Sequence, residues 1–373
     1  MSTGRRTRVR TLTPSDPDAY QTWRDRLAGG GGGGSNPGTI LIGGEGGGAA
    51  GQYPSYIVSA NDPDTWTEYR MDTNASMVAY SLPTMVYTGS KYLVGGTDGT
   101  AAHLYEASAV GTDVFGTDAT SRLNDTTSGS FAWRMDSDGA GTVAILNDNG
   151  VVEYSTDHGA TFSTHALSGA SSGTSEVTMR YFPDHPTLNW WCGQYSVGGP
   201  GKVWVSQIGT TDWSPTSGTM TGVFRGGIAY DSTNAIMGLA GGTNTVNWTD
   251  DNGTTWNQST SGLSGLTVMG GVASDSNGTW VCTGAQAGNG IYYTTNLTGG
   301  SWALADAMSG IVISDLAYDP GYGFVAVGYT SGTATMHVYT SADGITWTEK
   351  TITSNYANTS TSNFAYIRVI PAA

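Results

Sequence analysis

The sequence predicts an all-β fold: a seven-bladed β-propeller of four-stranded antiparallel blades, closed by its C-terminal strand and preceded by an N-terminal arm. Three observations carry this expectation. A short motif ending in an aromatic residue recurs at Trp66, Phe115, Phe162, Trp213, Trp256, Trp302 and Trp347, at spacings of 43 to 51 residues. One blade of four short strands and their turns needs a repeat of that length. Gly accounts for 56 of the 373 residues, while Asp, Glu, Lys and Arg together make up only 12 %. Such a chain is rich in turn formers and poor in the solvated charge that long helices require. The array also begins one strand late and ends one strand over.

Residues 1–36 form the arm and residues 37–373 the propeller. The arm holds six Arg and three Asp, against nine Lys or Arg and 27 Asp or Glu in the remainder, so a basic leader precedes an acidic body. RRTRVR reads as extended chain. SDPDAYQTWRDRLAG reads as a short helix, capped by Ser15 or Asp16, with Pro17 in its first turn and Gly29 at its end. Tyr20, Trp23 and Leu27 recur at i, i+3 and i+7 and share one face. Six glycines, Gly29 to Gly34, follow as a linker. Arg5, Arg6, Arg8, Arg10, Tyr20, Trp23 and Leu27 are therefore the candidate docking residues, the competing reading being a disordered tail.

From residue 38 each repeat has one layout. An apolar strand ends in an Asp-containing turn, as in IAYDST (228–233), GVASDSNG (271–278) and LAYDPGYG (316–323). A second strand follows, as in WVCTG (280–284) and FVAVG (324–328), and a third runs into the aromatic motif, as in VEYSTDHG (152–159). The fourth starts at or just after the aromatic, as in WTEYR (66–70) and WTEK (347–350). TILIGG (39–44) matches a second strand with no first strand before it, and NFAYIRVI (363–370) matches a first strand with nothing after it. The C-terminal strand is thus expected to complete blade 1, which leaves no blade edge unpaired at the closure.

Three copies of the motif are well formed: STDHGATF (155–162), TDDNGTTW (249–256) and SADGITW (341–347). SANDPDTW (59–66), SQIGTTDW (206–213) and TTNLTGGSW (294–302) are weaker, and the copy ending at Phe115 is nearly erased. The pattern resembles the Asp-box of bacterial-neuraminidase (BNR, sialidase-like) repeats, S/T-x-D-x-G-x-T-W/F. Asp157, Gly159 and Phe162, then Asp251, Gly253 and Trp256, match it in full; Asp343, Gly344 and Trp347 match a variant one residue shorter. The resemblance implies a structural turn: the Asp accepts hydrogen bonds from backbone amides, the Gly takes a positive φ, and the aromatic packs between blades. It does not settle an activity, because propellers of this kind serve as sialidases, other glycosidases, assembly factors and adhesion or virion proteins.

The enzyme reading is weakly supported by the residues present. A sialidase-like site needs converging arginines, and the F-R-I-P type motif of that family is absent. Arg134, Arg180, Arg225 and Arg368 all fall in expected first strands, which line a propeller's channel. They are the candidate anion-binding residues, with pairing to acidic neighbours as the plainer reading. Asp315 also falls in a first strand, where a solvated or Arg-paired role is expected rather than catalysis. Glycoside hydrolysis needs two opposed carboxylates. The six Glu include Glu68 and Glu349 on outer strands and Glu153 before a box, none placed at a channel. No catalytic residue is assigned. The five His show no ligand spacing, and the pairs Asp62/Asp64 and Asp136/Asp138 read as turns, so neither metal nor cofactor is expected.

Cys192 and Cys282 lie at equivalent strand centres two repeats apart, too distant for a disulfide, and read as core thiols. Trp190 and Trp191 are adjacent and face opposite ways on a strand. One of them is a candidate stacking platform for sugar rings, the other reading being packing between blades. A net charge of −15 argues against nucleic acid. No segment has transmembrane length, and Arg5–Arg6 precede no apolar h-region, so neither membrane insertion nor a signal peptide is expected. The organisation as a whole points to a non-enzymatic virion component. Its arm would dock onto other virion or assembly proteins, and its propeller would be displayed toward a host surface or glycan. A glycan-active hydrolase and a cytoplasmic interaction scaffold are the alternatives.

Overall fold

A computed structural model describes residues 39–43, 55–60, 62–70, 81–97, 101–110, 117–124, 134–147, 149–171, 177–194, 201–218, 220, 224–266, 269–284, 290–330, 335–354 and 366–370. All belong to the unit Pro37–Ala373. The arm, with its docking candidates, and the motif copy ending at Phe115 lie outside the described residues.

Seven antiparallel sheets stand in a ring. Blade 2 runs Ser81–Tyr87, Tyr92–Thr97, Ala102–Ala107 and Thr117–Asp118, and the same inner-to-outer order repeats in blades 3 to 7. The inner strands of these blades are Arg134–Ser137, Val177–Tyr181, Phe224–Asp231, Met269–Ser274 and Ile311–Asp319. Each inner strand touches the next, and Tyr366–Ile370 touches the inner strands of both blade 7 and blade 2, so the ring is complete.

Blade 1 closes as expected from the two ends. Tyr366–Ile370 pairs antiparallel with Thr39–Gly43, placing Thr39 opposite Ile370 and Gly43 opposite Tyr366. Of the expected strand 363–370, residues 366–370 are seen paired, and residues 363–365 lie outside the described residues. Blade 1 also carries a strand with no counterpart among the described residues of the other blades. Ile352–Ser354 pairs in parallel with the outer strand Trp66–Arg70, carrying the end of blade 7 onto the edge of blade 1. The alternating β-branched stretch Thr351, Ile352, Thr353 is the sequence signal for it.

The core lies between blades. Every described motif aromatic packs between its own blade and the preceding one: Phe162 among Val86, Leu93 and Leu104, Trp66 beside Tyr322 and Val325, Trp302 among Ala240, Val246 and Leu263. Trp190 and Trp191 are both buried, the first between blades 3 and 4 and the second between blades 4 and 5. Neither is a stacking platform, because each strand face meets a neighbouring blade. Cys192 and Cys282 are free and buried, and burial pushes both thiols well above their ordinary range.

The recurrent turn has the local chemistry its residues dictate. Ser155 Oγ donates to Asp157 Oδ1 (2.7 Å) and accepts from Gly159 N (2.8 Å). Asp157 also accepts from the Thr161 amide (2.9 Å) and hydroxyl (2.7 Å). Thr249, Asp251 and Gly253 repeat the scheme, as do Ser341, Asp343 and Gly344. Gly159 has φ +77°, and a Cβ there would lie 2.7 Å from Leu93 Cδ1 of blade 2. The glycine therefore answers two demands, a left-handed backbone and a close seat on the preceding blade. In the weaker copy SQIGTTDW the Asp has moved. Asp212, after the glycine, accepts from Ser206 Oγ and from Gln207 N (2.7 Å), so a different residue order fills the same role.

These turns and one ion-pair cluster set a pH dependence. On blade 2, Arg122 donates twice to Glu106 (2.6 and 3.1 Å) and Lys91 once (2.6 Å). The Arg122 hydrogen bonds, opposed by burial and helped by Lys91, bring Glu106 from 4.5 down to about 2. For Asp157 burial pulls upward. The Thr161 hydroxyl and amide, the Ser155 hydroxyl and the Ala160 amide together outweigh it, leaving a value of about 2. Folded-state values below the unfolded ones mean stabilisation that is present above pH 4.5 and lost as pH falls toward 2. Urea midpoints measured across that window are expected to fall with acidification. Glu106→Gln should flatten the slope, and an unchanged slope would contradict this assignment.

Candidate functional site

The inner strands bring chemistry to the centre of the ring. Arg134 lies on the inner strand of blade 3, Arg180 on that of blade 4, Arg225 on that of blade 5 and Arg368 on the closing strand of blade 1. The side chains of Arg225 and Arg368 lie outside the described residues. Arg134 is buried at 8 % exposure and engaged within the protein.

Arg180 reaches from blade 4 to blades 7 and 1. Its Nη2 donates to Asp315 Oδ2 (3.3 Å) and its Nη1 to the carbonyl of Ile367 (3.1 Å). Asp315 follows a break in register between Ile313 and Asp315, the kind of bulge that re-aims a side chain. Its Oδ2 also accepts from Ile367 N (3.0 Å), and its Oδ1 from Leu316 N (2.9 Å). The side chains of Arg180 and Asp315 are only 14 % and 4 % exposed. Gly271 of blade 6 makes room beside them, since a Cβ there would lie 2.9 Å from Leu316 N and 3.2 Å from Asp315 Oδ1.

The same device recurs elsewhere in the ring. Asp136 Oδ2 of blade 3 accepts from Tyr181 N of blade 4 (3.0 Å). Thr84 Oγ1 of blade 2 accepts from Met135 N (3.0 Å) and donates to its carbonyl (3.2 Å). In three places among the described residues, then, a side chain on one inner strand holds the backbone of the next. Asp136 and Asp315 serve blade joining. Asp62 and Asp138 serve turns, accepting from Asp64 N and Thr65 Oγ1 and from the amides of Ala140 and Thr142. Among the described residues no group of three or more His, Cys, Asp or Glu is arranged to hold a metal ion.

A second region lies at the outer seam of blades 7 and 1. A groove of about 440 Å³ is lined by Glu68, Met336, His337, Glu349, Lys350 and Ile352, with Thr335 and Thr351. His337 bridges Thr330 Oγ1 through Nε2 and Glu349 Oε1 through Nδ1, both at 2.6 Å. Lys350 Nζ donates to Asp64 Oδ1 (2.5 Å). Glu68 is 2 % exposed, and its Oε1 has no hydrogen-bond partner. Glu68 and Glu349 do lie on outer strands, as read from the sequence. Their meeting in one groove was not legible, because the parallel strand Ile352–Ser354 that joins the two blades breaks the repeat.

No protein-family model matches the chain, and no curated protein matches it. Solved structures do. YCF48 in a structure with a bound D1 peptide superposes with a TM-score of 0.50 at 14 % identity, covering 73 % of this chain and 81 % of that one. YCF48 from Cyanidioschyzon merolae gives 0.50 at 15 %, covering 73 % and 85 %. The GH74 xyloglucanase from Xanthomonas campestris gives 0.48 at 15 %, covering 72 % of this chain and 45 % of that one. At these identities the likeness is one of fold, and the fold is compatible with binding and protein interaction.

Proposed function

We propose that this chain is a non-enzymatic binding and structural protein, a virion or other large-assembly component that residues 1–36 fasten in place and whose propeller is displayed to a partner. The observation that carries the non-enzymatic half is Arg180. This channel arginine is held by Asp315 and the Ile367 carbonyl, so it joins blades. A sialidase-like site needs that charge for its substrate. The resemblance of the turns to the Asp-box supports the same reading, since Asp157, Asp251 and Asp343 are occupied by hydrogen bonds within their own loops. YCF48, a propeller of similar fold, is known with a peptide bound, which supports a recognition role for the ring.

The docking half rests on charge. A leader of six Arg and three Asp precedes an acidic body, and opposite charges favour association with an acidic scaffold. Deleting residues 1–36 tests it. The truncated chain is expected to remain a folded propeller with unchanged thermal unfolding, yet to fail to enter the particle that the full chain joins. Incorporation at the wild-type level would rule out anchoring by this segment, and turnover on a sialoside or polysaccharide panel would rule out the non-enzymatic reading.

A further inference from the structure

The groove between blades 7 and 1 holds a group that the fold leaves unsatisfied. Glu68 lies on the outer strand of blade 1, almost wholly out of water, and its Oε1 has no donor. An isolated carboxylate oxygen in that position is costly unless a donor reaches it. The nearby cation does not meet it, because Lys350 is engaged by Asp64 on the rim. Nor does the nearby imidazole, because His337 is engaged at both ring nitrogens by Thr330 and Glu349. Glu68 is thus the residue of the groove whose chemistry calls for a partner from outside.

The remaining walls define that partner. Met336 and Ile352 are apolar and flank the groove, and the chain of Lys350 adds methylenes beside them. Apolar side chains in the same groove as a carboxylate suit an alkyl chain ending in a cation. A second carboxylate, Glu349, is more than half exposed and adds negative potential at the mouth. The volume, about 440 Å³, is within the range of small-ligand sites and is ample for one extended amino-acid side chain.

We propose that this groove is a binding site for an alkylammonium group, the lysine side chain of a partner peptide, with Glu68 as its charge-assisted acceptor once its side chain turns out of the wall that covers it. The site depends on the strand Ile352–Ser354, which among the described residues has no equivalent in another blade. It is independent of the anchoring role proposed for residues 1–36.

The test uses the full chain and a defined probe, Nα-acetyl-lysine methylamide, followed by NMR titration or calorimetry at low salt. Its uncharged analogue Nα-acetyl-norleucine methylamide, the corresponding arginine derivative and a neutral oligosaccharide serve as comparisons. The lysine probe is expected to bind. The norleucine analogue should bind roughly tenfold more weakly or not at all, the usual scale for losing one charge-assisted hydrogen bond. Glu68→Gln should weaken the lysine probe by a similar factor while raising the melting temperature of the unliganded protein, since it removes a buried charge that lacks a donor. That second readout shows that the variant is folded. Equal binding of the lysine and norleucine probes, or lysine binding unchanged in Glu68→Gln, would overturn the proposal. So would Glu68-dependent binding of the oligosaccharide alone or of the arginine probe in preference to lysine.

Discussion

Asp315→Ala is expected to destabilise the propeller by about 3–5 kcal/mol, the range found when one member of a buried ion pair is removed. The replacement deletes the acceptor for Arg180 and for the amide of Ile367, and leaves the Arg180 guanidinium inside the ring with one carbonyl for company. Arg180→Met should cost less. Asp315 would keep two backbone donors, the amides of Leu316 and Ile367, and the flexible methionine could fill part of the vacated space. Urea unfolding of the two single variants and the double variant checks this, with the double variant expected to be less destabilised than the sum of the singles. Additive losses would show that the contact across the ring contributes nothing of its own.

Removing residues 363–373 is expected to have the larger consequence. Ile367 is fully buried among Ile40, Ile42 and Val327, and its strand forms the five-residue ladder with Thr39–Gly43. Without it blade 1 loses its inner strand, Asp315 loses the Ile367 amide, and a strand edge opens next to apolar side chains. Burial of Ile367 alone contributes about 2–3 kcal/mol. Together with the lost ladder the deficit approaches the whole stability of an ordinary domain, about 5–15 kcal/mol. The truncated chain should lose its near-ultraviolet circular dichroism and aggregate on size exclusion. A synthetic peptide of residues 363–373, added during refolding, should restore both. A truncated chain that stays monomeric with native circular dichroism would refute the closure as a stability element.

The parts of this molecule that were legible in the sequence are those encoded by short-range spacing. The Ser155, Asp157, Gly159 and Phe162 set lies within eight residues, so its turn could be read directly. The closure of blade 1 could be read because TILIGG and NFAYIRVI each broke the repeat in a complementary way. Contacts across the ring leave no such trace. Arg180 and Asp315 are separated by 135 residues, and nothing in the periodicity says which inner-strand arginine meets which carboxylate. The placement of Arg180 and Asp315 in inner strands was readable, and so was the expectation of a paired Arg, but not the span from blade 4 to blade 7. Adjacency put Trp190 and Trp191 on opposite faces of a strand, and because each face of a blade meets a neighbour, packing between blades is the reading that holds for both. The seam groove leaves no trace in the repeat for the opposite reason. It arises where the chain departs from its repeat, at Ile352–Ser354, and periodicity carries no information about such a departure.

The register of the closing strand has a mechanical consequence. Thr39 and Ile370 face each other at the same end of the ladder. A force drawing those two residues apart acts on one hydrogen-bonded pair at a time, as on a zipper, and never on the five-residue ladder together. Tension between residues 39 and 370 therefore loads this ladder in its weakest direction. An assembly that grips the chain on the N-terminal side of residue 39 alone leaves this joint unstrained and free to stay shut. One that held both sides would peel it open from Thr39 inward, so attachment through a single end is the arrangement this architecture tolerates.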